Sequence, residues 1–421
     1  MGLNGIKMNN ICVFGLGYIG LPTAAMFAHH GANVVGVDVN QHAVDTINQG
    51  KIHIVEPGLE AIVKKAVDNG KLKASLKPVH ADAYLIAVPT PFKGDDHTPD
   101  LSYIQAVSEA LAPLLEKGDV VILESTSPVG ATEQMVAWLA AARPDLTFPK
   151  YHEPDTEADI YVAYCPERVL PGKVVEELIS NDRIIGGMTK ESTKKAQEVY
   201  RIFVQGELLA TNSRTAEMAK LTENASRDVS IAFANELSII SDKLDINVWE
   251  LIELANHHPR VNILQPGAGV GGHCIAVDPW FIVNQNPDEA KIIRAAREIN
   301  DSKPDWVIDK INAEIDKLKA QGIEKPTVAL LGLAFKPDID DLRESPAVNI
   351  AQKMLDADNA EILLVEPNIQ TLPEKLSAGT LVTLSEVAGN ADIAVILVAH
   401  NEFIDKTTLK NIRVMNMVGN I

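Results

Sequence analysis

The feature that most limits the fold lies near the start of the chain. A short apolar run at residues 11–14 leads into Gly15-Leu16-Gly17-Tyr18-Ile19-Gly20, then a helical stretch to about residue 31, then a second apolar run at 33–37 ending on Asp38. Strand, glycine turn, helix and strand in that order open a dinucleotide-binding sheet. The glycines permit a tight turn and let a pyrophosphate approach the backbone, and the helix N-terminus attracts its charge. Asp38, 18 positions after the third glycine, would accept hydrogen bonds from an adenosine ribose diol and repel a 2′-phosphate, which favours NAD over NADP. Gly15, Gly17, Tyr18, Ile19, Gly20 and Asp38 are therefore candidate NAD-binding residues.

Further strand-and-turn units follow. Residues 84–88 run into Pro89-Thr90-Pro91, residues 120–124 into Ser125-Thr126-Ser127, and residues 160–164 into Cys165-Pro166-Glu167-Arg168. Loops at the carboxyl ends of strands are where an open α/β sheet binds its ligand, although Pro, Ser and Thr favour turns in any case. From Ser213 the period changes: Met218, Leu221, Ala225, Val229, Ala232, Phe233, Leu237, Ile240 and Leu244 recur at three- and four-residue steps. That spacing predicts an amphipathic helix of roughly 30 residues. It puts Lys220 and Asn224 on one face. Further helices are expected at 248–255 and 288–318. A second α/β unit begins near Lys325, with strands at 327–331, 362–365 and 393–398. Its Gly332-Leu333-Ala334-Phe335 echoes Gly15-Leu16-Gly17-Tyr18 with the later glycines lost, so a Rossmann-like domain without the standard NAD site is expected.

Gly267-Ala268-Gly269-Val270-Gly271-Gly272-His273-Cys274 sets a cysteine in a glycine-rich loop, with Asp278 four residues on. A thiol there reads as a nucleophile. Of the other two cysteines, Cys12 lies inside a strand and reads as core, whereas Cys165 fits either role. So few thiols argue against a disulfide framework and fit a reducing cytoplasm. The 11 histidines form no ligand set, so no metal is expected. A net charge of −19 disfavours nucleic acid as a partner. No apolar run approaches the ~20 residues of a membrane helix, and no basic segment precedes an apolar one at the N-terminus, so neither membrane insertion nor secretion is expected.

Six motifs occur in one order: Gly15 to Pro22, Glu124-Ser125-Thr126, Ala216-Glu217-Met218-Ala219-Lys220-Leu221, Asn235-Glu236-Leu237, Gly271-Gly272-His273-Cys274 and Gly332 to Pro337. In these the chain resembles the UDP-glucose/GDP-mannose dehydrogenase family over nearly its whole length. The resemblance implies an α/β architecture in three parts: an N-terminal NAD-binding Rossmann domain (1–210), a central helical dimerisation domain with one long helix (211–305), and a C-terminal Rossmann-like domain that binds the UDP-sugar (306–421). It implies oxidation of a sugar C6 alcohol to a carboxylate with two NAD+. Cys274 would carry a thiohemiacetal and then a thioester, and Lys220 and Asn224 would stabilise the C6 oxyanions. Glu167 would serve as base for the hydrolytic water, and Asp278 would position water or Lys220. Pro89, Thr90, Ser125, Thr126 and Arg343 would lie near the cofactor. Arg168, Asn262, Gly271 and Lys336 would contact the UDP-sugar, as would Arg260 delivered from the neighbouring subunit of a homodimer. The segments 164–172, 259–266 and 273–281 favour UDP-N-acetyl-D-mannosamine as the sugar, with UDP-N-acetylglucosamine and UDP-glucose as alternatives. The pathway implied is bacterial surface polysaccharide, such as enterobacterial common antigen. The last residues depart from the family's pattern near Asn416, and a looser last strand is expected.

Two other classes remain at this stage. A two-electron dehydrogenase that stops at a carbonyl needs no thiol. A non-catalytic NAD-binding scaffold would have no use for Cys274, Lys220, Glu167 and Asp278 together.

Overall fold

The computed structural model describes residues 9–94, 96–153, 157–170, 172–272, 274–404, 406–410 and 412–419. His273 of the cysteine loop and Pro171 lie outside the described residues. The chain divides into two compact units, the first ending at Thr222 and the second beginning at Glu223.

In the first unit, the apolar runs become β1 (Asn10–Phe14), β2 (Asn33–Val37), β3 (Leu72–Ser75), β4 (Ala83–Ile86), β5 (Val120–Leu123) and β6 (Tyr161–Tyr164), followed by β7 (Arg183–Gly187) and β8 (Leu208–Asn212). They form one eight-stranded sheet in the order β8-β7-β6-β5-β4-β1-β2-β3. Every pairing is parallel except β6 with β7. β4 and β5 are buried at every position, as strands covered on both faces must be, which explains their unbroken apolar sequence. The chain order reverses between β1 and β4, so the carboxyl ends of these strands frame a crevice. α1 (Gly20–His29) follows β1 and is buried from Gly20 to Ala28, its small side chains letting it lie close to the sheet. α2 (Ala131–Ala142) follows β5.

α3 (Ser213–Lys243) runs for 31 residues, as its apolar period requires, and continues from the first unit into the second. The second unit adds α4 (Val248–Asn256), α5 (Asp278–Gln285) and α6 (Lys291–Ala320). Its sheet has the order β11-β10-β9-β12-β13, built from β9 (Thr327–Leu331), β10 (Glu361–Val365), β11 (Thr380–Leu381), β12 (Ile393–Ile396) and β13 (Arg413–Asn416), all parallel. α7 (Pro346–Ala357) covers the sheet, and Val307, Ile311 and Ile315 from the second half of α6 share its core with Val328, Leu330 and Val348. Residue 305 thus falls inside α6, a helix that serves the C-terminal sheet as well as the helical region. β13 pairs with β12 over four positions, and the Asn416 side-chain oxygen accepts from the N–H groups of Val418 and Gly419 at 3.0 Å. Asn416 therefore closes the turn after β13. Among the described residues no helix is long and apolar enough to cross a membrane.

Candidate active site

The glycine turn after β1 has the shape that a dinucleotide needs. Gly15 sits at φ +84°, and a Cβ there would meet the Ala87 carbonyl oxygen at 2.5 Å. A Cβ on Gly20 would meet the Gly15 carbonyl oxygen at 1.8 Å, so helix and strand could not close. A Cβ on Gly17 would meet nothing within 4 Å, which leaves space for a pyrophosphate. α1 begins with no side-chain cap and no acidic residue in its first turn, so its dipole favours an anion. Asp38, half-buried, accepts from the Leu16 N–H through Oδ2 and from the Asn40 N–H through Oδ1, both at 2.8 Å. It thus pins the glycine turn, and each oxygen keeps a second lone pair for a ribose hydroxyl. These residues fit NAD.

The loops after β4 and β5 are stitched together beside this turn. Thr90 Oγ1 donates to the Thr126 carbonyl, and Ser125 Oγ donates to the Val88 carbonyl at 2.7 Å. Pro89, Thr90, Ser125 and Thr126 therefore form one rim. Glu217, fully buried on α3, accepts from the N–H groups of Gly130 at 2.7 Å and Thr132 at 2.8 Å, and from the Thr132 hydroxyl at 2.6 Å. It closes the start of α2 and anchors the start of α3. Lys220, half-buried, follows within one turn, and Asn224 lies one turn further on.

Glu167 is buried rather than an exposed loop acid. Its Oε2 accepts from Arg183 at 3.0 Å and its Oε1 from the Arg168 N–H at 2.6 Å. Arg183, a charged residue in an apolar strand, also lies over the Tyr200 ring at 4.9 Å. Tyr200 donates to Glu124 Oε1 at 2.5 Å, and burial raises the Glu124 carboxyl to about 7 against the opposing charge of Arg183. Cys165 lies in this cluster, its thiol pushed up to about 12 by burial, and Cys12 is likewise raised to about 12. Both are core residues. The Arg168 side chain donates to the Asp182 carbonyl at 3.1 Å.

In the second unit, Asn224 Nδ2 donates to Asp278 Oδ2 at 2.5 Å. Asp278 is the first residue of α5, and its N–H donates to the Cys274 carbonyl at 2.8 Å. One turn thus ties Cys274, partly exposed, to the Asp278–Asn224 pair. The loop's glycines are required by crowding: a Cβ on Gly271 would meet the Glu344 carbonyl oxygen at 2.6 Å and Pro346 at 2.7 Å. Glu344 belongs to the strap that carries Lys336 and Arg343. Lys336 is exposed, whereas Arg343 forms a two-pronged pair with Asp341 at 2.5–3.0 Å. Arg260 and Asn262 are exposed after α4, and Asn256 staples their segment through both the N–H and the carbonyl of Ile263.

The second glycine turn repeats the first with its cradle filled. Gly332 has φ +90°, and its N–H donates to Val365 at 2.8 Å, as Gly15 donates to Val37 at 2.8 Å. Ala334, in the position of the open Gly17, is 1% exposed. Glu366 takes the place of Asp38. It accepts from the N–H groups of Leu333 (2.8 Å), Ala334 (3.0 Å) and Asn368 (3.0 Å), from the Asn368 amide (3.0 Å) and from His400 Nε2 (3.0 Å). A buried carboxylate with five donors has no capacity left for a ribose diol.

The first unit defines an NAD-dependent dehydrogenase, and comparison with known proteins narrows the class. The chain belongs to the UDP-glucose/GDP-mannose dehydrogenase family: its NAD binding domain model matches residues 9–204, its central domain model 214–302 and its UDP binding domain model 329–418. The chain is 62% identical over 402 residues to the UDP-N-acetyl-D-mannosamine dehydrogenase of Campylobacter jejuni, covering 95% of this chain and 97% of that one. It is 61% identical over 397 residues to the enzyme of that name from Escherichia coli K12, covering 93% and 94%. The solved UDP-D-ManNAc dehydrogenase of Pyrococcus horikoshii superposes with a TM-score of 0.86 at 38% identity, covering 98% of this chain and 96% of that one.

Proposed function

We propose that this protein oxidises C6 of UDP-N-acetyl-D-mannosamine to UDP-N-acetyl-D-mannosaminuronate in two NAD-dependent steps through Cys274. The sugar rests on the identity of about six residues in ten to relatives named for that activity. The route rests on one observation, the chain of contacts from Asn224 through Asp278 to the Cys274 turn. NAD+ accepts a hydride from C6 in each step. After the first, the Cys274 thiolate adds to the aldehyde to give a thiohemiacetal, which the second oxidation turns into a thioester. Water then cleaves the thioester and regenerates the thiol. Overall, R–CH2OH, two NAD+ and one water give R–COO−, two NADH and three protons.

Lys220 and Asn224, one turn apart on α3, stabilise the oxyanion at C6, since a cation and an amide fixed in advance need little reorganisation. Asp278 orients Asn224. Glu167, itself oriented by Arg183, acts as base toward the hydrolytic water. Arg168, Asn262, Gly271 and Lys336 bind the UDP-sugar, and Pro89, Thr90, Ser125, Thr126 and Arg343 line the cofactor side. The working protein is a homodimer in the cytoplasm, with Arg260 reaching the neighbouring site. α3, the turn after it and α4 support this by exposing Phe233 (51%), Leu244 (61%) and Leu254 (63%), apolar side chains that a second copy would cover. The product suits a bacterial surface polysaccharide such as enterobacterial common antigen. The three parts of the chain, 1–210, 211–305 and 306–421, divide cofactor binding, dimerisation and UDP-sugar binding between them.

The test is NADH formed per UDP-N-acetylmannosamine with the sugar limiting. Two NADH per sugar are expected, and one would remove the thioester route. Faster turnover of UDP-N-acetylglucosamine or UDP-glucose would transfer the reaction to that sugar.

A further inference from the structure

A buried polar chain runs from α3 and α6 to the first residue of the cysteine loop. Asp228 and Asn235 of α3 are 0% exposed, and Arg297 and Asn300 of α6 are 1% exposed. Asp228 Oδ1 accepts from Arg297 Nη1 at 2.6 Å and from Asn300 Nδ2 at 2.8 Å. Asn300 Oδ1 accepts from Asn235 Nδ2 at 2.8 Å. Asn235 Oδ1 accepts the backbone N–H of Gly267 at 2.9 Å.

The chemistry fixes the direction of this chain. An ionised carboxylate only accepts, so Asp228 forces Asn300 to present its NH2 to it and its oxygen to Asn235. Asn235 must then turn its own NH2 toward Asn300, which leaves its oxygen for Gly267. The charge at Asp228, matched by Arg297, thereby dictates which atom meets the loop two amides away. Apolar contacts would join α3 and α6 with less desolvation, and this network leaves Asp228 Oδ2 and Arg297 Nε without a hydrogen-bond partner; what the chain from Asp228 to Asn235 selects is one arrangement of its two amides. Here the selected arrangement ends on the loop that carries Cys274. The far end of that loop is held by Asp278 and Asn224, and its middle by Pro346 and the Glu344 carbonyl.

We propose that the Asp228–Asn300–Asn235 relay positions Cys274 for attack on the sugar aldehyde by fixing the start of its loop at Gly267. Asn235 is a positioning residue. The inference rests on the thioester route proposed above. The relay's direction supplies the test. Asn235→Asp keeps an acceptor for Gly267 but sets a carboxylate against the Asn300 oxygen. Asp228→Asn removes the group that orients the amides. Together they reverse the chain: Asn300 turns over, donates to the new carboxylate at 235 and accepts from the new amide at 228, giving up its bond to the residue-228 carbonyl (3.1 Å), and Gly267 keeps its acceptor.

Each single variant is expected to lower kcat about 10–100-fold with KM for the UDP-sugar little changed, as misplacement of a reacting group does. NADH per sugar should fall below two as aldehyde escapes, and the rate of Cys274 alkylation by iodoacetamide should change. The double variant should recover part of the kcat and stoichiometry that the worse single variant loses, the lost Asn300 bond to the residue-228 carbonyl keeping it below the wild type. Val307→Ala, a core change on α6 away from the relay, should lower stability without moving the stoichiometry. The proposal is overturned by single variants with unaltered kcat and alkylation, or by a double variant no better than the worse single one. A wild-type protein that reduced no NAD+ with any nucleotide sugar would end the functional reading instead. The alkylation rates, which need no substrate, would still decide the relay.

Discussion

Glu366→Gln tests whether the second glycine turn is locked by its carboxylate. Burial alone would raise the Glu366 carboxyl. The hydrogen bond from His400 and the N–H groups of Leu333 and Asn368 overcome that and hold it at about 2, against an ordinary value of 4.5. The difference, 4.5 − 2 = 2.5, corresponds to about 3.4 kcal/mol at ~1.36 kcal/mol per unit. The side chain is 0% exposed, so solvent screening takes little from this figure. Because the folded value lies below the unfolded one, the stabilisation is complete above about pH 4.5 and is lost as the pH falls through about 2. An amide offers one accepting oxygen where the carboxylate offers two, so one group of donors would face an NH2. The expected loss is about 3 kcal/mol at pH 7, shrinking to about 1.4 kcal/mol at pH 3. Hydrogen exchange of the Leu333 and Ala334 amides, which donate directly to Glu366, reads the local opening free energy without requiring the whole chain to unfold in one step. A difference below about 1 kcal/mol at pH 7, or the same difference at pH 3 and pH 7, would refute the reasoning.

Cys274→Ala should release aldehyde and form at most one NADH per sugar, measured by absorbance with the sugar limiting; two NADH would exclude the thioester. Glu217→Ala leaves the N–H groups of Gly130 and Thr132 without their acceptor. Orphaned buried donors cost about 1–3 kcal/mol each, so Tm should fall and kcat with it, because Lys220 rides on the same helix start; an unchanged Tm would count against that anchor. Glu124 is raised to about 7 by burial against Arg183, so its folded value exceeds the unfolded one and stability should decline as pH rises from about 4.5 to 7. Glu124→Gln should flatten that decline in thermal melts between pH 5 and 8, and parallel slopes would contradict it.

The parts of the candidate site that were legible in the sequence are those that depend on neighbours along the chain. The glycine turn, Asp38 and the cysteine loop are local patterns, because φ angles and close backbone approaches are set within a few residues. The long helix was equally legible, since its apolar period persists over 31 residues. What sequence reasoning missed is held by distant partners. Arg183 meets Glu167 across 16 residues, Glu366 meets His400 across 34, Asn235 meets Asn300 across 65 and Glu217 meets Thr132 across 85. No periodicity encodes such pairs. Arg183 carried one signal, a charge at the start of the apolar strand Arg183–Gly187, which a folded chain must match once it is buried. α5 carried another in Pro279, which begins helices well.

The two glycine turns explain how one local geometry serves two ends. Both start with a left-handed glycine, both bury a leucine next, and both present that leucine's N–H to an acid at 2.8 Å. They diverge in two places. The second loses the open position, since Ala334 is covered where Gly17 faces free space. It also gains His400 as a further donor onto the acid. Asp38 holds its turn with capacity to spare, whereas Glu366 is saturated and sealed. The acid at the end of the second strand is therefore first a clasp for the turn. It reads a ribose only where its remaining lone pairs reach solvent, which places dinucleotide recognition in the first unit and leaves the second to recognise its nucleotide by other groups.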